Sequence, residues 1–399
     1  MAVENNSTVR WFHSDMAGAP QLTTSPGSII AILDACLIDG FGAATPDGNK
    51  ITVSAGVATV EFSNGHDFEE YAVVEIAGAT PSALNDVWRV TGATATAFTF
   101  DCPGISDGTA SGSITVKRAT PGYWEKAFGD NLVAAYRSTH PEGTGAYLRI
   151  DDSLPFNDTF AVPIRGYSVM TDIDSGQGEF PTFVQRPADN SSSNHNWNRI
   201  SGDNLSSWTL ISDDRFFYFL PCGYLNRGAA LYEFGDISAP ISMDQSNCVT
   251  SGHYRKSSIG YQNTSANSVN NSGALGCHFM AAADGSDPGT AYRKMGVYSG
   301  TLLYAVTSET PYPCPISGGY LYQPVMAADG AGQWRGFCPG LFQTLNWLGD
   351  GGGLPDGQLR RIMPRNQGYQ RAMMHIKYQH QANENNYPII ALDIEGPWR

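Results

Sequence analysis

Ser25-Pro26-Gly27-Ser28-Ile29-Ile30-Ala31-Ile32-Leu33-Asp34-Ala35-Cys36-Leu37-Ile38-Asp39-Gly40 is the clearest helix in a chain that otherwise reads as strand and turn. Ile29, Ile32, Leu33, Cys36 and Leu37 recur at steps of three and four, which places them on one stripe of a helix rather than one face of a strand. Ser25 is the expected N-cap, Pro26 fits the first turn where a missing N–H costs nothing, and Gly40 is the expected closing residue. One short helix with an oily stripe needs a body to cover it. The strand-rich sequence around it supplies that body, so the helix reads as a plug in a β-rich fold.

Working outward, Ser7 to His13 alternates as a strand does and leads through Gly18-Ala19-Pro20 into the helix. His13 beside Asp15 has no third partner at useful spacing and reads as a turn histidine. Past Gly42 the character changes. Residues 45–118 contain six strand-like runs: Lys50 to Val53, Val57 to Phe62, Ala72 to Ile76, Val87 to Thr91, Ala97 to Phe100 and Gly112 to Lys117. Turn signals at Asp47-Gly48-Asn49, Asn64-Gly65 and Asp107-Gly108 separate them, so this stretch is expected to be a small β-sandwich or barrel. Removing it would join the helix to Gly122-Tyr123-Trp124, and it therefore reads as an insertion.

The expected fold is mainly β, a multi-domain β-sandwich or barrel architecture with one short capped N-terminal helix. The expected division is 1–44 as the start of a host domain, 45–118 as the insertion, 119–240 as the host's continuation, and 241–399 as a C-terminal β-rich region. In the host, Leu132 to Arg137, Ala146 to Ile150 and Val162 to Tyr167 read as extended. Arg215-Phe216-Phe217-Tyr218-Phe219-Leu220 reads as a strand buried on both faces. Residues 186–206 and 236–274 read as polar loops. Further strands are expected at Lys294 to Val297, Leu302 to Val306, Leu321 to Met326 and Ile389 to Ile394.

Composition narrows the function classes. Lys+Arg 24 against Asp+Glu 38 gives a net charge of −14, which repels phosphate backbones and argues against nucleic acid as a partner. No apolar stretch approaches the roughly 20 residues that span a bilayer, and the start Met1-Ala2-Val3-Glu4 lacks the pattern of a signal peptide, so neither membrane insertion nor export by that route is expected. The seven cysteines are widely spaced with no C-x-x-C pair, so reduced, mostly buried thiols are expected.

Candidate chemistry is thin. Asp151-Asp152, Asp172 with Asp174, and Asp213-Asp214 are carboxylate pairs of the kind glycoside hydrolysis uses, but adjacent aspartates at turns are usually solvated caps. Asp172-Ile173-Asp174-Ser175-Gly176 resembles the opening of a calcium loop without the Glu that would close it. The glycines at 349 and 351–353 lack the Lys-Ser/Thr of a phosphate loop. Trp197 and Trp208 could stack on sugars if exposed, although most aromatics pack cores. No catalytic, cofactor-binding or metal residue is assigned, and no cofactor is expected.

The residues Asn6 to Met16 with Gly18-Ala19-Pro20, and then Ile29 to Gly42, resemble the N-terminus of a widespread family of virion-associated proteins of tailed bacteriophages. The resemblance continues through Gly122 to Phe128, Ala135 to Thr139, Tyr147 to Asp152, Arg165-Gly166-Tyr167, Met170 to Gly176, Phe180-Pro181-Thr182, Asp214 to Tyr218, Phe234 to Ile237 and Asp393 to Arg399. Residues 241–320 and 355–388 match poorly. Gly56 to Val60, Gly78 to Asn85 and Phe98 to Phe100 are similar to small β domains of phage tail and fibre proteins. The resemblance implies a non-enzymatic structural part of the particle, in the tail, baseplate or fibre-attachment region. It implies other phage structural proteins and further copies of the chain as partners, and assembly in the host cytoplasm. Recognition of host surface glycans as a receptor-binding or capsid-decorating protein, and degradation of such polysaccharides, are the alternatives.

Overall fold

A computed structural model describes residues 7–153, 161–182, 195–199, 206–222, 229–239, 246–252, 274–281, 291–294, 320–329, 333–344, 354, 359–365, 370–377 and 389–399. The protein is mainly β, with one short α-helix, Ser28–Leu33, that runs directly into a π-helical turn, Asp34–Asp39. The expected strand Leu302 to Val306, the glycines at 349 and 351–353, and Cys314 lie outside the described residues. The other six cysteines are buried.

Three sheets make up the body. The largest has twelve strands among the described residues, beginning with Arg10–His13, Ser207–Ser212 and Phe216–Cys222 and ending with Ile389–Asp393, Met373–Lys377 and Arg360–Met363. Phe216–Cys222 is buried at every position, as its apolar run requires when both faces are covered. The second sheet has the order Ser175–Phe180, Ala161–Asp172, Tyr147–Asp151, Val133–Ser138, Trp124–Gly129. Asn196–Asn198 pairs with the outer half of Ala161–Asp172, so part of the stretch read as polar loop is a strand; its register puts Trp197 opposite Val162. Cys248–Thr250 is likewise a short strand inside sequence read as loop, pairing with Tyr232–Asp236. Ala291–Lys294 is a strand, and the rest of the strand expected from Lys294 to Val297 lies outside the described residues.

The third sheet holds all six strands read between residues 50 and 117. Gly108–Arg118, Ile51–Ser54, Val57–Glu61, Ala97–Asp101, Val87–Ala93 and Val73–Thr80 pair in that order, and Val73–Thr80 pairs back onto Gly108–Arg118, closing a six-stranded barrel. Closure removes the exposed edges that a sheet of this size would otherwise present. Its interior is a separate apolar cluster that includes Ile51, Val60, Val74, Phe98, Phe100 and Ile114. The chain enters through Phe41–Ala44 and leaves through Arg118, and these pair with each other, Phe41 opposite Arg118.

The helix lies in the main core. Ile29, Ile32, Leu33, Cys36 and Leu37 are buried in one cluster with Trp124, Tyr136, Leu148 and Ile150 of the five-strand path and with Leu210, Phe217 and Leu392 of the large sheet. Asp34 fixes the register: Tyr136 donates its hydroxyl to Oδ1 at 2.7 Å, and Lys126 meets Oδ2 at 2.8 Å. Burial first, and then Asp34, push the Tyr136 phenol well above its usual range.

The expected Ser25 cap is not what begins the helix. Gly27 occupies the cap position in the left-handed region, φ 82°, with no side-chain cap bond from its own turn. The orphan N–H groups are met from a distance: Asp152 accepts the Ile29 N–H at 2.9 Å. Gly40 does end the helical stretch, at φ 69°. A Cβ there would lie 2.4 Å from the Arg118 carbonyl oxygen, so only glycine fits.

Candidate functional site

The structure places the carboxylate pairs in three different settings. Asp152 and Asp213 are buried, not solvated caps, and each is paired with an arginine, Asp152 with buried Arg199 and Asp213 with Arg399. Asp152 pairs with Arg199, which also donates to its main-chain oxygen at 2.6 Å. Asp213 accepts the N–H groups of Arg215 and Phe216 at 2.9 and 2.7 Å and pairs at 2.9 Å with the C-terminal residue, Arg399. Burial outweighs these partners and holds both carboxyls above the usual carboxylate range. Asp151 turns to Ser153, and Asp214 lies near His140 at 3.8 Å and Arg215 at 3.6 Å. Asp172 and Asp174 sit at an exposed hairpin turn, where Asp172 accepts the Asp174 N–H at 2.8 Å and Asp174 pairs with Arg149 at 3.1 Å. Among the described residues, no group of three His, Cys, Asp or Glu side chains is arranged to hold a metal ion.

Trp197 and Trp208 are fully buried, so neither offers a stacking surface. Each indole N–H is satisfied inside the fold, Trp197 by the Ser251 carbonyl at 2.7 Å and Trp208 by the Pro20 carbonyl at 2.9 Å.

The described residues instead concentrate their polar chemistry where the barrel, the N-terminal strand and the C-terminal segments meet. His13 is not in a turn: it ends the strand Arg10–His13 and is buried. Its Nε2 lies 2.8 Å from Glu69 Oε1 in the barrel, and its Nδ1 lies 2.8 Å from Arg360 Nη2 at the far end of the large sheet. Arg360 also pairs with Asp15. Burial would raise the Asp15 carboxyl, but Arg360 together with Ser14 and His13 outweighs it and holds it below its ordinary value.

Two barrel arginines complete the junction. Arg89 is buried and donates to four main-chain carbonyls: Tyr71 and Ile394 at 3.0 Å, Glu395 at 3.1 Å and Val9 at 3.3 Å. Burial pulls its guanidinium down to about 10. Arg118 lies between the Phe41 and Phe68 rings, 5.4 and 5.1 Å from their centroids, and pairs with Asp67 at 2.8 Å. It also donates to the Ala17 carbonyl at 3.3 Å.

The C-terminal segment is knotted into the same region by its own charges. Asp393 accepts the N–H groups of Glu395 and Gly396 at 2.9 and 3.0 Å and meets Arg371 at 2.6 Å. Glu395 takes Arg365 in a two-oxygen grip at 2.9 Å. These side chains fasten segments together by charge-assisted bonds. Of these residues, the sequence picks out His13 with Asp15, and Asp393 and Glu395 within the terminal resemblance; Glu69, Arg89, Arg118 and Arg360 carry no local motif.

No family model matches the chain, and no curated protein matches it. Among solved structures, phage phi92 endosialidase is similar at 10% identity with a TM-score of 0.16, over 88% of this chain and 51% of that one. The chain thus spans about half the length of that protein, and a superposition this loose does not establish a shared fold.

Proposed function

We propose that this chain is a non-enzymatic structural component of a tailed bacteriophage particle, acting through protein–protein contacts in the tail, baseplate or fibre-attachment region. One observation carries the reading. The segments that resemble virion-associated proteins, among them Arg10 to His13, Ile29 to Gly42, Tyr147 to Asp152 and Asp393 to Arg399, converge on one buried frame. Within it, Asp152, Asp213, Trp197 and Trp208 bond to the frame itself and offer neither an acid–base pair nor a stacking surface. A rigid frame that carries a closed barrel on paired entry and exit strands suits a part that positions one module against others.

Mass spectrometry and residue-resolution microscopy of purified particles test this reading. The expected result is a symmetric set of copies in the tail region. Absence from purified particles, with a protein that stays monomeric at high concentration, would overturn it.

A second reading, recognition of host surface glycans, is favoured by Trp334 and Phe337. They are 47% and 37% exposed, with ring centroids 5.4 Å apart in an edge-to-face pair. Binding of the purified protein to host polysaccharide that is lost in Trp334→Ala would support it; equal binding by Trp334→Ala would remove this support.

A further inference from the structure

The two end strands of the large sheet, Arg10–His13 and Arg360–Met363, share no backbone ladder among the described residues, yet side chains join them at His13. The bonding around the imidazole assigns its proton. Nδ1 receives the Arg360 guanidinium at 2.8 Å and the Asp15 backbone N–H at 3.3 Å, so it must be an acceptor. The neutral ring then carries its hydrogen on Nε2 and donates it to Glu69 at 2.8 Å.

Three charged groups surround the ring from three parts of the chain. Glu69 comes from the barrel side, Arg360 from the far end strand, and Asp15 from the turn after His13, with Oδ2 3.9 Å from Nδ1. Trp11 stacks on the ring with centroids 5.8 Å apart, and Cys222 lies near Arg360.

We propose that His13 is a proton-operated latch between the two ends of the sheet: protonation at Nδ1 removes the acceptor that holds Arg360 and lets the imidazolium compete for Asp15, releasing the strand Arg360–Met363. Glu69 keeps the ring in place in both states, because Nε2 donates to it whether or not Nδ1 is protonated. The exchange is local, since one proton alters one nitrogen's role and puts two cations in contact.

Burial first, and Arg360 as well, hold His13 below its ordinary value, although Glu69 and Asp15 pull the other way. The latched form therefore binds fewer protons than the open form. Latching is favoured at neutral pH and weakens as pH falls below about 6.5, the ordinary histidine value. This device does not depend on the proposed role in a phage particle.

Hydrogen–deuterium exchange of the full chain at about pH 7.5 and about pH 5, corrected for intrinsic rates, tests the latch. Protection at residues 10–13 and 360–363 is expected to fall about tenfold at the lower pH, the factor that one pH unit of linkage gives. Protection at 51–60 in the barrel is expected to persist, and protection at 389–393, one strand further in from the ladder that opens, is expected to fall less than at 360–363. Arg360→Gln should leave 360–363 poorly protected at both pH values. Glu69→Gln, which alters a partly exposed side chain and retains an acceptor for Nε2, should move the opening midpoint to lower pH. Equal protection of 360–363 at the two pH values would overturn the latch, as would an equal loss at 389–393 or an unmoved midpoint in Glu69→Gln.

Discussion

Asp152 accepts the backbone N–H of Ile29 at 2.9 Å, so a residue 123 positions downstream caps the helix Ser28–Leu33. Its other oxygen and its main chain hold Arg199, and both side chains are buried. Replacing the carboxylate by a neutral amide removes the charge that compensates the buried Arg199 guanidinium and weakens the acceptor at the helix start. Asp152→Asn should cost about 3–5 kcal/mol in urea unfolding. Ser25→Ala should stay within about 0.5 kcal/mol, since Ser25 is exposed and its side chain is not the cap. Similar costs for the two variants would contradict the assignment.

Leu33 is fully buried in the main core, and the barrel interior is a separate cluster. Leu33→Asp forces a charge into that main core and should unfold the part around the helix by more than about 4 kcal/mol. Amides at 51–60 and 97–101 should keep their exchange protection, so the barrel should unfold in a transition of its own. A single transition for both parts in the variant would mean that the barrel depends on its host.

Arg89 ties the two together by its guanidinium. Its four carbonyl acceptors lie in the N-terminal strand region, the barrel and the C-terminal segment. Arg89→Met retains much of the stem and removes the donors, leaving buried carbonyls unpaired. The expected loss is about 2–4 kcal/mol, seen first as faster exchange at 394–396 with the barrel interior unchanged. Uniform acceleration of exchange across the barrel would show that Arg89 supports the barrel itself.

These elements differ in how plainly the residues announce them. The six barrel strands are readable because apolar alternation runs through most of them and turn signals such as Asp47-Gly48-Asn49, Asn64-Gly65 and Asp107-Gly108 separate several, which is local information. Phe216–Cys222 was readable because its apolar run has no polar face. Asn196–Asn198 was not, since Asn-Trp-Asn in a Ser/Asn-rich context looks like loop until Val162 and Ser251 are placed beside Trp197. The helix cap was misassigned because Ser25 is adjacent and Asp152 is distant. His13 gave the same difficulty in sharper form: its partners lie 56 and 347 residues away, and only the curl of the large sheet brings them together.

Glycines test backbone demands separately from side-chain contacts. Gly40 has φ 69° and its missing Cβ would meet the Arg118 carbonyl at 2.4 Å, whereas Gly122, at φ 79°, has nothing within 4 Å. Gly122→Ala should cost about 1 kcal/mol, the left-handed penalty alone. Gly40→Ala adds a clash with main chain at the point where the barrel's entry and exit strands pair, and should cost about 2 kcal/mol more. Thermal unfolding of the two variants gives the comparison, and equal costs would rule out the close approach.

His375 supplies a global acid sensitivity distinct from the local latch. It is buried, its Nε2 lies 2.8 Å from the Tyr322 hydroxyl, and the Tyr320 ring meets it edge-on at 4.4 Å. Burial, with Arg361 nearby, pulls it down to about 3. Between there and its unfolded value near 6.5, the unfolded chain binds a proton that the native chain refuses. Stability is therefore retained above about pH 6.5 and declines as pH falls, with a slope from this residue of at most about 1.4 kcal/mol per pH unit. His375→Gln removes the titrating ring while keeping a polar partner for Tyr322. The variant should be less stable near neutrality, because it disturbs a packed ring, and the gap to the parent should narrow on acidification. Urea midpoints for parent and variant from about pH 7 to about pH 4.5 measure this; parallel curves would mean that His375 does not set the acid response.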